Sequence, residues 1–180
     1  ALGVQTGDRV VLDMQNCPQL VITHFAILRI DAVVVPVNPM NRSLELQHYI
    51  VDADARVAIT SADLADGMVQ ASDALPAAQQ LQHLLVTQHR DGFDPKSTPE
   101  GDMPEAWRDW LLSSHPVPVL TSGQTHHWVD ALACAAELPA HTTQAADMAV
   151  LPYTSGTTGL PKGCMHTHGT IMHNAMATAA

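Results

Sequence analysis

The fold is decided by the sequence Ala-Val-Val-Val-Pro-Val at residues 32–37. A short, unbroken run of apolar and mostly β-branched residues is typical of a strand that is buried on both faces of a parallel sheet. Asn38-Pro39 breaks this run. On its amino-terminal side, Pro18 fits the start of a helix, and residues 19–30 are apolar on most faces, which predicts a buried helix.

Strand-like and helix-like segments alternate over the first half of the chain. The strand-like runs lie at residues 9–14, 32–37, 56–60 and 83–87. The helix-like runs between them lie at residues 19–30, 43–53 and 62–72. In the second of these helices, Leu46, Tyr49, Ile50 and Ala53 follow the i, i+3, i+4, i+7 spacing of a single apolar face. The order β-α-β-α-β-α-β predicts an α/β fold of alternating units with a largely parallel sheet.

The alternation of strand-like and helix-like segments is less clear from residue 88 to residue 146. Residues 88–104 are rich in Asp, Gly, Pro, Lys and Ser and are expected to form an exposed loop. A short helix follows Pro104, and we interpret its Trp107 and Trp110 as anchors in the core. Residues 125–137 predict a further helix, and residues 138–146 are expected to form a connector.

The composition excludes several classes of protein. The 180 residues include 8 basic and 18 acidic ones, and the formal charge of −10 disfavours a surface for nucleic acid. The longest apolar stretch, residues 20–30, is interrupted by His24 and Arg29 and is too short to cross a bilayer. Three widely spaced cysteines predict neither a disulfide framework nor a zinc knuckle, so a reducing, cytoplasmic compartment is expected. Because the chain as a whole is acidic, any site that binds phosphate must be confined to one short segment.

One segment carries the residues that such chemistry needs. Residues 154–163 have the sequence Thr-Ser-Gly-Thr-Thr-Gly-Leu-Pro-Lys-Gly, with four hydroxyl side chains, three glycines and one lysine. Glycines let backbone N–H groups approach a ligand, hydroxyls add donors, and lysine adds a charge suited to phosphate. The segment is not a Walker A loop, because Gly163 rather than Ser or Thr follows Lys162. It predicts a loop that wraps a di- or triphosphate, with a flexible turn between two strands as the alternative.

The order of residues 151–163 resembles the signature phosphate-binding loop of the adenylate-forming enzymes. This superfamily comprises acyl-CoA synthetases, firefly luciferase and the adenylation domains of nonribosomal peptide synthetases. Further stretches resemble its fatty acyl-CoA synthetases, at residues 2–10, 26–39, 45–59 and 165–168 and at Asn174. The resemblance covers nearly the whole chain and is weakest over residues 88–144. Residue 31 is Asp where most relatives have Gly.

The resemblance implies a two-step reaction. A carboxylate attacks the α-phosphate of ATP to give an acyl-adenylate and pyrophosphate, and the thiol of coenzyme A then takes the acyl group, with Mg²⁺ bridging the phosphates. Lys162 would supply positive charge near the leaving pyrophosphate, or would be an ordinary solvated lysine. His168 would lie near the acyl or adenylate pocket. The β- and γ-phosphates would be held by Thr154, Ser155, Gly156, Thr157, Thr158 and Gly159.

The resemblance also implies that important parts lie outside this sequence. The family's adenine-binding strand, its Mg²⁺-associated Glu and its small C-terminal domain with the catalytic Lys all come after this loop, beyond Ala180. Residues 1–180 are therefore expected to be an incomplete N-terminal, AMP-binding domain. We expect the fragment alone to make no acyl-CoA and to self-associate through apolar surface.

Three interpretations of the parent protein remain open from the sequence. The leading one is a carboxylate–CoA ligase for medium- or long-chain fatty acids. The second is an aryl- or amino-acid adenylating domain, and the third is a non-catalytic module that binds a nucleotide or phosphate. No metal site is predicted for His166, His168 and His173, which have no carboxylate nearby. Asp52 and Asp54 are interpreted as a helix end and a turn.

Overall fold

The computed structural model describes residues 2–92, 104–134, 137–154 and 159–179. Strands and helices alternate in the predicted order over the first half. These elements are β1 (Arg9–Asp13), α1 (Pro18–Arg29), β2 (Val33–Pro36), α2 (Ser43–Asp52), β3 (Val57–Ser61), α3 (Ala65–Asp73) and β4 (His83–Thr87). The second half contains α4 (Glu105–Leu112), β5 (Gln124–His127), α5 (Trp128–Ala133), β6 (Met148–Val150), β7 (Tyr153–Thr154), β8 (Lys162–Gly163), β9 (His166–Thr167) and α6 (His168–Ala179).

Seven of these strands form one sheet in the order β5-β4-β3-β1-β2-β6-β9. Neighbouring strands are parallel, except that β9 runs antiparallel to β6. β1 lies in the middle, where Val10 is opposite Val34 of β2 and Val57 of β3. The predicted α/β fold with a largely parallel sheet is confirmed. From β1 the chain passes to β2 on one side, and from β2 it crosses to β3 on the other side of β1. The direction in which strands are added to the sheet therefore reverses between β1 and β3.

The sheet separates two hydrophobic cores. On one face Val11 and Val35 pack with apolar residues of α2 and α3. On the other face Val10 and Val34 pack with Ile27 of α1. Side chains of a strand alternate between its two faces, so successive valines of β1 and β2 enter different cores. The run at residues 32–37 is therefore buried from both sides, as predicted.

The helix α1 is less buried than its composition suggested. Gln19, Thr23 and Ile27 are its buried residues, whereas Val21, Ile22 and Phe25 are each half or more exposed. A helix on the face of a sheet buries one stripe of residues, and these three side chains lie outside that stripe. The prediction of a buried helix was correct in position and wrong in the extent of burial.

The predicted helix at residues 125–137 was wrong at its start. Gln124–His127 pairs with β4 as strand β5, with His83 opposite Gln124 and Val86 opposite His127, and the helix α5 begins only at Trp128. The edge of β4 offers backbone hydrogen bonds that a local sequence pattern does not reveal, and this tertiary pairing overrides helix propensity. Residues 138–146 contain no helix or strand, as expected for a connector.

The region after β4 also departs from expectation. His89–Gly92 forms a 3₁₀ turn, while residues 93–103 of the predicted exposed loop lie outside the described residues. Trp107 and Trp110 of α4 are not core anchors, since they are 67% and 45% exposed. The helix α4 packs beside the 3₁₀ turn, where the rings of Trp110 and His89 are 4.4 Å apart.

Candidate phosphate-binding site

The predicted phosphate loop leaves the sheet at the carboxyl end of β6. Its two arms are joined by a short antiparallel ladder, in which Tyr153 is opposite Gly163 and Thr154 is opposite Lys162. Ser155, Gly156, Thr157 and Thr158 lie outside the described residues. The ladder thus brings the first predicted phosphate ligand, Thr154, next to the last, Lys162.

Thr154, Gly159 and Lys162 are exposed at the mouth of this loop. The ion pairs among the described residues do not include the Lys162 ammonium, so its positive charge is available to an anion. A hydroxyl donor and an ammonium group on adjacent strands suit the oxygens of a phosphate. Among the described residues, no atom lies within 4 Å of the position of a Cβ added at Gly159.

Helix α2 contacts both arms of the loop at its base. Tyr153 Oη donates a hydrogen bond to Asp52 Oδ2 at 2.6 Å. His48 Nε2–H donates to the carbonyl oxygen of Pro161 at 2.7 Å, one residue before Lys162. The ring of Tyr153 also packs on Tyr49, with ring centroids 4.6 Å apart. The base of the loop is therefore fixed to a helix of the first half of the chain.

Burial and the Asp52 carboxylate raise the pKa of Tyr153 well above its ordinary value. Its phenol therefore remains a protonated donor to Asp52 at any physiological pH. Burial likewise raises the pKa of Tyr49, whose hydroxyl accepts a hydrogen bond from Asn41 Nδ2 at 3.2 Å. Both tyrosines act as neutral groups that lock the loop to α2.

Gly163 lies close to the side chains at the start of the loop. An added Cβ would lie 3.0 Å from Leu151 Cδ1 and 3.4 Å from the Tyr153 ring, so a side chain here would press against the start of the loop. The sequence identified Gly163 as a source of backbone freedom. In the structure its backbone has no positive φ, and its lack of a side chain is what lets the two arms approach each other.

His168 lies apart from the loop residues. It begins α6, and its backbone N–H donates to the carbonyl oxygen of Asp147, just before β6 begins. Its ring is 6.5 Å from the ring of His141. The structure thus brings Thr154 and Lys162 together at the carboxyl end of β6, and places His168 at the other end of the same strand.

Asp31 organises that other end. Its backbone has a φ of 61°, a left-handed conformation in which Asp is tolerated better than most residues. Its buried carboxylate accepts hydrogen bonds from Thr142 N and Thr142 Oγ1, both at 2.7 Å, and pairs with His141 Nδ1 at 2.5 Å. These contacts, those of Thr142 above all, lower the pKa of Asp31 to about 2. Asp31, which stands where most relatives have Gly, therefore anchors the connector at residues 138–146 that leads into β6.

Sequence reasoning missed the supporting residues His48, Tyr49 and Asp52. Tyr49 was assigned to the apolar stripe of its helix and Asp52 to a helix end, and Asp52 is indeed the last residue of α2. A signal was present in the sequence, since three hydrogen-bonding side chains lie within five residues of one helix. Their partner, at residues 153–161, could not be identified without the fold.

The described residues offer no metal centre of their own. They contain no group of three or more His, Cys, Asp or Glu side chains that could hold a metal ion. They also contain no helix that is long and apolar enough to span a membrane.

Comparisons with known proteins identify the family of the chain. The sequence matches the family described as AMP-binding enzyme over residues 1–180. It is 31% identical to a long-chain-fatty-acid–CoA ligase of Bacillus subtilis (strain 168), over 99% of the chain and 30% of that protein. It is 29% identical to 4-coumarate–CoA ligase 1 of Oryza sativa subsp. japonica, over 94% of the chain and 25% of that protein.

A solved structure supports the same assignment. The crystal structure of a long-chain-fatty-acid–CoA ligase from Archaeoglobus fulgidus superimposes with a TM-score of 0.65 at 25% identity. The match covers 98% of the chain and 28% of that protein. The chain thus spans less than a third of the length of the proteins that it matches here.

Proposed function

The chain belongs to the AMP-binding enzyme family, and on that premise we propose that it supplies the phosphate-binding part of an ATP-dependent fatty acid–CoA ligase. The carrying observation is the pairing of Thr154 with Lys162 across the β7–β8 ladder. This pairing sets a hydroxyl and an exposed ammonium at the mouth of a glycine- and hydroxyl-rich loop.

In the proposed reaction a carboxylate oxygen bonds to the α-phosphorus of ATP, and the bond to the pyrophosphate oxygen breaks. The coenzyme A thiol then attacks the acyl carbon, and AMP leaves. Lys162 neutralises charge on the leaving pyrophosphate. The β- and γ-phosphates are held by Thr154, Ser155, Gly156, Thr157, Thr158 and Gly159. The contribution of this chain is positioning and charge stabilisation.

Mg²⁺ would neutralise further phosphate charge when bound. Among the described residues, the loop mouth presents a hydroxyl and an ammonium, and no group of three or more His, Cys, Asp or Glu side chains could hold the ion by itself. We therefore assign no step of the reaction to a metal held by these residues. The catalytic Lys and the Mg²⁺-associated Glu of the family are expected outside this sequence.

The identity of the acid rests on similarity alone. The identity of 31% with a fatty-acid ligase supports a fatty acid, and the 29% with a 4-coumarate ligase supports an aryl acid as the second candidate. His168 remains a proposed neighbour of the acyl or adenylate pocket. Its substitution by Ala is expected to change the preference among acids more than the affinity for ATP.

Carboxylate-dependent ATP–pyrophosphate exchange by the full-length protein tests the proposal. Fatty, aryl and amino acids would be assayed in parallel, with matched acid concentrations. Exchange that requires a fatty acid supports the proposal, and exchange that requires an aryl acid moves the protein to the second candidate. A folded protein that exchanges with none of the acids contradicts the proposal.

We further propose that residues 1–180 alone neither make acyl-CoA nor remain monomeric. Val21, Ile22 and Phe25 of α1 and Met172 and Met176 of α6 are each half or more exposed, and such apolar surface favours association. Sedimentation velocity of the isolated fragment would show species larger than a monomer. A monodisperse monomer, or acyl-CoA formation by the fragment, would contradict this expectation.

A further inference from the structure

Helix α2 has one face that packs in the core and a second face that meets the phosphate loop. Leu46, Tyr49 and Ile50 are its buried residues and belong to the core on one side of the sheet. His48 and Asp52 are four positions apart, so they lie one above the other on a neighbouring face of the helix. Both of these side chains hydrogen-bond to the loop.

His48 is the residue of this second face that contacts both arms of the loop. Its Nε2–H donates to the carbonyl oxygen of Pro161, on the second arm, at 2.7 Å. Its ring lies at 78° to the ring of Tyr153, on the first arm, with the centroids 5.9 Å apart. Such a T-shaped arrangement is favourable for aromatic rings. Asp52, by comparison, hydrogen-bonds to the first arm through Tyr153.

The hydrogen bond to Pro161 fixes which nitrogen of His48 carries a hydrogen. A carbonyl oxygen can only accept, so Nε2 must carry the hydrogen in a contact of 2.7 Å. This donor is present in the neutral Nε2–H form of the ring and also in the imidazolium. The contact with Pro161 therefore requires a particular tautomer of the neutral ring but no particular charge.

Lys162 lies between two attachments of the second arm. On one side its backbone belongs to the β7–β8 ladder, opposite Thr154. On the other side the carbonyl group of Pro161, which forms the peptide bond to Lys162, is bound by His48. Proline has no N–H to donate to a ladder, and β8 begins only at Lys162. The hydrogen bond from His48 thus holds the arm at the point where the ladder ends.

The attachment comes from a rigid part of the molecule. His48 lies in the middle of α2, whose residues Leu46 and Ile50 are buried. Tyr49, the next residue of the helix, is also buried and packs on Tyr153 with ring centroids 4.6 Å apart. A side chain on a packed helix keeps its geometry more precisely than one on a loop. The backbone position of Lys162 is therefore set by α2 as well as by the ladder.

Fixing this arm before a ligand arrives favours binding. A lysine on an unattached loop loses backbone freedom when it binds an anion, and this loss opposes the binding. With the ladder and the His48 hydrogen bond in place, the backbone beside Lys162 is already ordered in the free protein. The benefit is restricted to ligands that reach the Lys162 ammonium.

We propose that His48 is a positioning residue of the phosphate-binding loop, which holds the arm at Pro161 and so places the Lys162 ammonium for the β- and γ-phosphates of ATP. The proposal rests on the proposed function, in which Lys162 binds these phosphates. His48 itself touches no ligand in this account. Because it acts through Lys162, its effect must disappear when the lysine is removed.

Two substitutions separate the hydrogen bond of His48 from its ring. His48→Phe keeps an aromatic ring beside Tyr153 and loses the donor. His48→Gln loses the ring and keeps a donor, since the amide nitrogen of Gln is as many bonds from the backbone as Nε2 of His. His24→Phe is the matched control, because His24 is also a partly buried helical histidine but lies in α1 on the other face of the sheet.

The first measurement is the affinity of the full-length protein for ATP and for AMP by calorimetry. We expect His48→Phe to weaken ATP binding about fivefold, as for the loss of one hydrogen bond, and to leave AMP binding unchanged. His48→Gln should recover most of the loss, and His24→Phe should bind both nucleotides like the wild type. In a Lys162→Ala background, His48→Phe should add no further loss. Losses that multiply would show that His48 does not act through Lys162.

The second measurement needs no ligand. Trypsin cuts after Lys162 only when this arm leaves the ladder, so loss of the hydrogen bond to Pro161 should accelerate that cleavage about fivefold. Cleavage after Arg108 of α4, followed by mass spectrometry in the same sample, is the internal reference. His48→Gln should be cleaved at nearly the rate of the wild type.

Unchanged ATP binding in a folded His48→Phe variant overturns the proposal, and so does an unchanged rate of cleavage after Lys162. A wild type that binds ATP no more tightly than AMP contradicts the proposed function itself, and this result is visible without any variant of His48. Should His48→Phe fail to fold, His48→Asn takes its place, because the shorter amide does not reach the carbonyl oxygen of Pro161.

Discussion

The two ends of β6 differ in how their polar groups are used, because those at the carboxyl end stay exposed and those at the amino end are bound within the protein. At its carboxyl end, His48 and Asp52 of α2 hold only the base of the loop, and Thr154 and Lys162 stay exposed. At its amino end, the carboxylate of Asp31 is buried among the groups that it binds. Polar groups that are satisfied within the protein stabilise it, whereas groups left open are available to a ligand.

The largest expected effect follows from removing the exposed Lys162 ammonium near the carboxyl end of β6. Lys162→Ala should lower the rate of ATP–pyrophosphate exchange by about 100-fold, because it removes the charged group that is proposed to stabilise the developing phosphate charge. Thermal unfolding should be unchanged, since Lys162 is exposed. Leu160→Ala, on the same loop and without charge, is the matched control. Equal exchange rates in Lys162→Ala and Leu160→Ala would contradict the expectation that the exposed charge of Lys162 acts in the reaction.

A smaller effect is expected at the base of the loop. Tyr153→Phe removes the hydrogen bond to Asp52 and should raise the KM for ATP about tenfold, because the loop loses one of its attachments to α2. Asp52→Asn should have a similar but weaker effect. If the two groups act through each other, the double variant will be little worse than Tyr153→Phe alone. Fully additive effects would show that Asp52 and Tyr153 contribute separately.

At the amino end we expect loss of stability with little change in exchange rate. Asp31→Asn keeps a residue that tolerates the left-handed backbone, but its NH₂ group cannot accept from Thr142 and its charge no longer pairs with His141. The melting temperature should fall by about 4 °C or more. Asp54→Asn is the matched control, since Asp54 also has a left-handed φ of 48° but a side chain that is 67% exposed. A larger loss in Asp54→Asn than in Asp31→Asn would contradict the assignment.

The pH dependence of this anchor is the smallest expected effect. The pKa of Asp31 is about 2 in the folded protein and about 3.9 for an unperturbed Asp. A depressed folded pKa contributes stability above the unfolded value, and this contribution is lost as the pH falls through the folded value. The difference in melting temperature between wild type and Asp31→Asn should therefore shrink between pH 4 and pH 2. A constant difference would show that the charge of Asp31 contributes nothing.

The same comparison shows what could be predicted from the sequence. The valine run at residues 32–37 and the spacing of Leu46, Tyr49 and Ile50 fix local structure, so β1 to β4 and their helices could be predicted. The position of Asp31 was recognised as unusual, yet its partner Thr142 is 111 residues away. The contact of Tyr153 with Asp52 spans 101 residues. Such pairs follow from the topology and have no local signature.

At β5 the sequence-based prediction failed for a different reason. Gln124–His127 is polar and carries no strand pattern, and it becomes a strand only because β4 presents an open edge. Exposure of Trp107 and Trp110 was equally hidden, because composition favours burial of tryptophan wherever it occurs. Local pattern therefore predicted the centre of the sheet correctly and failed at the edge of the sheet, and the chemistry of the loop stays a prediction.

The central claim is that Lys162 and Thr154 bind the β- and γ-phosphates, and equilibrium binding tests it most directly. The dissociation constants of ATP and AMP would be measured by calorimetry for the full-length wild type, Lys162→Ala and Leu160→Ala. We predict that Lys162→Ala weakens ATP binding about tenfold and leaves AMP binding unchanged, because AMP lacks the phosphates that Lys162 is proposed to contact. Equal weakening of ATP and AMP, or no weakening of either, would contradict the account.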